Sequence, residues 1–183
     1  MWNMKIDILK KLHDDHINFL KLLSFLEQQH CRLEKCENSD LESVLDAIWY
    51  MKDYPDFVHH PLENVIFKYF LQHKDDACES ISALLEEHEE MPKLTDNLLA
   101  MLRAALAGVP QERDELCSYL GKYIVTQKEH MNQEEAQVYP LLKSSLDQKD
   151  WQQIDDELAM IEDPLFGDKV EKSYQSLLQY IVY

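Results

Sequence analysis

Between Ile81 and Ala105, core-type residues recur in alternating steps of three and four: Ile81, Leu84, His88, Met91, Thr95, Leu98, Leu102 and Ala105. Only an α-helix brings residues so spaced onto one face. Little in the chain would interrupt such helices. It has three glycines in 183 residues, where average usage would supply about 13, and six prolines. Sandwiches and barrels need a turn residue every ~8–12 positions, and phosphate-cradling loops need glycine, so both are disfavoured. Hydrophobic residues at 45% and charged residues at 29% describe a soluble globular chain. The length suits one domain, residues 1–183, with a core of its own.

Turn residues divide the chain into four long segments, about 7–146, and a helical extension, about 149–183. The first segment runs from Asp7 to Glu34, with Ile8, Leu9, Leu12, Phe19, Leu20, Leu23 and Leu26 near helical period. Ser39 and Glu42 have capping-box spacing at the start of the second. That segment runs from Asp40 to Gln72, and kinks are expected at Pro55 and Pro61. The third begins at Lys74-Asp75-Asp76 and stops at Gly108. The fourth opens near Pro110 and reaches Leu146, with a seam of Leu116, Leu120, Tyr123, Gln127, His130, Glu134, Val138 and Leu141. Loops this short make consecutive helices antiparallel, which predicts an all-α, up-down-up-down four-helix bundle. Two shorter C-terminal helices are expected to cover it, one through Trp151, Ile154, Leu158 and Ile161, the other through Val170, Tyr174, Leu177, Leu178 and Ile181.

A net charge of -17 opposes binding to nucleic acid, whose phosphates demand a basic face. No run of ~18 apolar residues is present to cross a membrane, and Met1–Asp7 lacks the apolar stretch of a leader. Cys31, Cys36, Cys78 and Cys117 form no C-x-x-C pair. They read as reduced, partly buried residues of a cytoplasmic protein.

The seams have polar residues at their centres. His16, His59, His88 and His130 each fall on one long segment, and Glu63 and Glu134 follow two of them by four positions. A single histidine on an apolar stripe is usually a hydrogen-bonded core residue. The His-x-x-x-Glu spacing is weak by itself, since His30 and Glu34 repeat it. Level along the helices decides between these readings. Counted from turns near 38, 74 and 109 at ~1.5 Å per residue, the four histidines reach one height, whereas His30 has no facing partner. Four imidazoles and two carboxylates buried together require pairing or metal. One ion does not use them all comfortably, whereas two ions can take two imidazoles each and share the carboxylates. Such donors suit iron or manganese, and also zinc.

The order of lone histidine, His-x-x-x-Glu, lone histidine, His-x-x-x-Glu resembles the hemerythrin-like family, in the bacterial branch called HHE cation-binding domains. The stretches that match are Leu12-His-Asp-Asp-His16, Phe57-Val-His-His-Pro-Leu-Glu63, Glu86-Glu-His88 and His130-Met-Asn-Gln-Glu-Glu135 with Val-Tyr-Pro140. The resemblance implies a non-haem di-iron centre with a bridging oxo or hydroxo group. His16 and His59 would bind one iron, His88 and His130 the other, and Glu63 and Glu134 would bridge. It implies binding of dioxygen, nitric oxide or peroxide; some members sense oxygen or iron, others repair damage or handle peroxide. Oxygen carriers of the family have a second histidine one turn from that of the third helix. Here Leu84 and Pro92 fill those positions, and the second bridge is Glu134 at four-residue spacing rather than an aspartate at five. These departures favour ligand turnover or sensing over reversible carriage.

Three residues near the cluster are expected in the pocket or behind the ligands. His60, turned ~100° from His59 on a regular helix, should face outward or stand behind a ligand. His13 can hydrogen-bond a ligand. Tyr123 can line the pocket or serve as a core tyrosine. The acidic pairs Asp14-Asp15, Glu86-Glu87 and Glu89-Glu90 read as solvated faces. The first functional reading is a protein that binds or senses a small ligand. An enzyme of peroxide disposal or iron–sulfur repair, and a metal-free interaction bundle, are the alternatives.

Overall fold

The first segment folds as one uninterrupted helix, α1 (Met4–Glu34), because nothing in it breaks the apolar stripe. The computed structural model describes residues 4–74, 78–110, 112–158, 163–167 and 170–181. Among these residues the chain is all-helical, with no strand. The expected positions Asp75, Asp76 and Ile161 lie outside the described residues. Leu20, counted in the α1 stripe, is exposed.

The second segment is three pieces: α2 (Leu41–Met51), a π-helical turn (Lys52–His59) and α3 (His60–His73). The expected Ser39 cap is corrected. The Asp40 carboxylate accepts from Ser43 N at 3.1 Å, while Ser39 Oγ donates to Gln29. The disturbance expected at the prolines takes the form of the wide turn. His60 N–H donates five residues back, to Pro55 O. Pro61 has no amide to donate, and on a regular helix its ring would strike the carbonyl of Phe57. Widening the turn ahead of it relieves that clash.

The third segment is α4 (Glu79–Leu106). It does not begin at Lys74, which is extended. The fourth starts later than Pro110 and is again three pieces: α5 (Arg113–Gln133), a π-helical turn (Glu134–Val138) and α6 (Tyr139–Ser145). Tyr139 N–H donates to Glu134 O, and Pro140 follows, as Pro61 follows His60. The extra residue moves the later seam by one place, so Tyr139 and Leu142 are buried and Leu141 is only half-buried.

α1 and α4 end in the same way. Cys36 (φ 57) and Gly108 (φ 74) take the left-handed conformation. The next amides reach back, Glu37 N to Arg32 O at 2.9 Å and Val109 N to Ala104 O at 3.0 Å, which satisfies terminal carbonyls. Cys36 is exposed rather than partly buried.

α1 packs on α5, α2 and α3 on α4, and α4 on α5. Gly121 permits the α1–α5 approach, since a Cβ there would lie 2.7 Å from His30 Nε2. The C-terminal elements, α7 (Gln148–Glu157), a 3-10 turn (Lys172–Tyr174) and α8 (Gln175–Ile181), bury Trp151, Ile154, Tyr174 and Leu177. Tyr50 donates to Asp163 Oδ2 at 2.8 Å and ties this part of the chain to α2. The apolar core is two clusters. One contains Phe19, Tyr54, Leu98 and Ile124, the other Leu12, Leu62, Leu84 and Val138. On every long segment the polar residues singled out above lie between them.

Candidate metal centre

α1 supplies His16, the first π-helical turn His59, α3 Glu63, α4 His88, α5 His130 and the second π-helical turn Glu134. All six are buried, and the structure brings them together. His16 Nε2 and His59 Nε2 are 3.0 Å apart, as are His88 Nε2 and His130 Nε2. Glu134 stands between the pairs. Its Oε1 is 3.2 Å from His130 Nε2 and 3.3 Å from His88 Nε2, and its Oε2 is 3.3 Å from His16 Nε2. Glu63 Oε2 lies 3.5 Å from both His59 Nε2 and His88 Nε2.

The far nitrogen of each ring is held from behind. His16 Nδ1–H donates to Glu135 at 2.8 Å, His59 to Asp15 at 3.1 Å, His88 to Asn64 Oδ1 at 2.8 Å and His130 to Glu87 at 2.8 Å. A proton on every Nδ1 leaves every Nε2 with a lone pair, so the four lone pairs converge. Lone pairs 3.0 Å apart can be joined only by an added proton or by a cation. Meanwhile both Glu134 oxygens and Glu63 Oε2 are buried without a hydrogen-bond donor. Acceptors so concentrated are costly in a dry interior. Imidazole and carboxylate donors backed by outer hydrogen bonds are what a buried metal ion requires, so these residues fit one.

Electrostatics say the same. Burial works against charge on His16 and His130, yet Glu134, with Glu135 and Glu87 respectively, outweighs it, pushing them up to about 9 and about 10. Burial works against the Glu134 carboxylate as well, and His130 with its neighbours holds its pKa well below the ordinary value. Two sets of donor atoms lie close enough to hold an ion each: His16, His59 and Glu63, and His60, Glu63, His88 and His130.

His60 does not face outward. It is buried, its ring stacked on His88 at 4.5 Å between centroids. The 100° rule fails there because the π-helical turn ends between the two histidines, so both reach the interior. His13 is exposed and donates to Glu135 rather than to a ligand histidine, so it reaches His16 through that carboxylate. Tyr123 is fully buried in the first core cluster, where burial pushes its phenol up.

The tyrosine at the cluster is Tyr139, whose hydroxyl donates to Glu63 Oε1 at 2.5 Å and lies 3.4 Å from His16 Nε2. The available signal was the Val-Tyr-Pro stretch, and a seam through Val138 and Leu141 does not include it. Two acidic pairs read as solvated also need correction, because Asp15 is buried behind His59 and Glu87 holds His130. Their positions, next to His16 and next to His88, were the available signal. Cys residues take no part in either donor set.

Among the described residues, no helix is long and apolar enough to cross a membrane. No curated protein and no solved structure matches the chain significantly. A family profile, the Hemerythrin HHE cation binding domain, matches residues 7–159, a span that holds every residue of the cluster, and the chain belongs to that family.

Proposed function

We propose that this protein holds two non-haem iron ions and uses them to bind or sense a small ligand: dioxygen, nitric oxide or peroxide. In this reading the four long segments form the family's up-down-up-down bundle. His16 and His59 hold one ion, His88 and His130 the other, and Glu63 and Glu134 are shared. The observation that carries it is Glu134: a fully buried carboxylate without a hydrogen-bond donor, set within 3.3 Å of three imidazole nitrogens, two of them on other long segments and one a turn before it on its own. Iron there would supply a redox-active Lewis acid with a position open to a small ligand. Manganese and zinc share the donor preference, and elemental analysis separates them.

The deciding experiment is elemental analysis joined to an anaerobic-to-aerobic optical titration. Two irons per chain and a ligand-to-metal charge-transfer band that reverses on deoxygenation are expected. One metal per chain, or none, would sink the reading.

Tyr139 favours a second reading, peroxide disposal. It lines a cavity of about 440 Å³ together with Lys10, His13, Glu135 and Lys143. A phenol that lines that cavity and donates to Glu63 can hold or pass a proton between them. Steady consumption of hydrogen peroxide by catalytic amounts of protein, lost in His130→Ala, would establish turnover.

A further inference from the structure

The helix that carries His88 offers one imidazole to the cluster, because Leu84 and Pro92 occupy the positions one turn away on either side. The ring of His60 lies against that same part of the cluster. One of its nitrogens falls within 4.8 Å of donor atoms of Glu63, His88 and His130. The ring stacks on His88 (interplanar angle 15°) and stands edge-on to His130 (80°), at 4.5 and 5.4 Å between centroids.

Its surroundings are similar to those of the other four histidines but looser, since its Nδ1 makes no hydrogen bond. Each of those has an oxygen of a carboxylate or amide behind Nδ1. Behind His60 Nδ1, at 3.5 Å, lies Asp56 Oδ1, and both side chains are almost wholly buried. Neither Asp56 oxygen has a hydrogen-bond partner. With Nδ1 assigned to Asp56, Nε2 is assigned to the cluster. His60 thus has an oxygen on its Nδ1 side as the other four histidines do, at a longer distance that closes no hydrogen bond.

We propose that His60 is a fifth imidazole ligand, binding the ion held by His88 and His130, with Asp56 orienting its ring. The inference rests on the di-iron reading above. It makes the centre unequal. One ion has three imidazoles, from α3, α4 and α5. The other has two, from α1 and the first π-helical turn, with the Tyr139 hydroxyl 3.4 Å from His16 Nε2. The imidazole that α4 lacks comes instead from α3, and the π-helical turn that places two consecutive histidines inward is what makes this available.

The test uses the iron-loaded full chain, labelled with ⁵⁷Fe, and compares wild type with His60→Ala. Wild type should contain two irons with distinct Mössbauer doublets. In His60→Ala one doublet should change while the other stays. That ion should pass to a chelator with an acceleration beyond the ~10–100-fold effect of losing an outer hydrogen-bond partner, and added imidazole should restore the original doublet. If His60→Ala fails to fold, His60→Phe keeps the ring shape and runs the same comparison without rescue. Two unchanged doublets in a folded variant overturn the His60 assignment and leave the di-iron reading intact. Fewer than two irons in wild type overturn both.

Discussion

The Tyr139 hydroxyl donates to Glu63 Oε1 at 2.5 Å across 76 positions of sequence. The bond joins the first residue of α6 to a carboxylate on α3, and it fixes which Glu63 oxygen is left for the cluster. Tyr139→Phe leaves Oε1 buried without a donor. The metal-free variant should lose about 1–3 kcal/mol of stability, read from denaturant unfolding. An unchanged midpoint would show that the bond does not matter to the fold.

The metal-free protein should lose stability as pH rises from neutral. His16 and His130 stand at about 9 and about 10 in the folded chain, against roughly 6.5 unfolded. Raised values mean that the folded state holds these protons more tightly. The contribution is complete below about 6.5 and is lost as pH passes through the folded values. Metal competes for the same nitrogens, so binding should release protons and tighten with pH. Thermal melts of both forms between pH 6 and 10 read the difference, and parallel curves would contradict it.

Asp15 accepts from His59 Nδ1 and pairs with Lys11 at 2.8 Å. Asp15→Ala should loosen the ring and weaken metal binding by ~10–100-fold. Competition with a calibrated chelator measures this, and wild-type affinity in the variant would remove Asp15 from the site.

Cys36 takes the left-handed conformation at the end of α1 that Gly108 takes at the end of α4. A side chain there costs about 1–2 kcal/mol, and glycine returns part of that as entropy of the unfolded chain. Cys36→Gly should therefore raise stability, by up to about 1 kcal/mol, with metal content unchanged. A lower melting temperature would refute it.

Helical class was legible because periodicity is local. The seam Ile81, Leu84, His88, Met91 lies on one buried face of α4. The six polar residues were legible for a similar reason, since rise per residue is constant enough to compare levels across turns. The misses that touch the cluster follow two points. The angle between neighbours changes at the π-helical turns, so His60 was turned outward, Tyr139 was left out of the seam, and Leu141 stood where Leu142 is buried. Each turn is followed by a proline, Pro61 and Pro140, which marks the place in the sequence without giving the size of the rotation.

The sequence by itself determined the helical class, the stretches that carry the donors and the kind of chemistry such donors suit, because these follow from residue type and spacing along one helix. Only the tertiary structure decided what stands behind the donors. Asp15, Asn64, Glu87 and Glu135 are polar residues like many others in an acidic chain. They became partners of His59, His88, His130 and His16 through packing between elements. A hydrogen bond of this kind depends on distances of a few tenths of an ångström between separate elements, and no spacing along the chain encodes that.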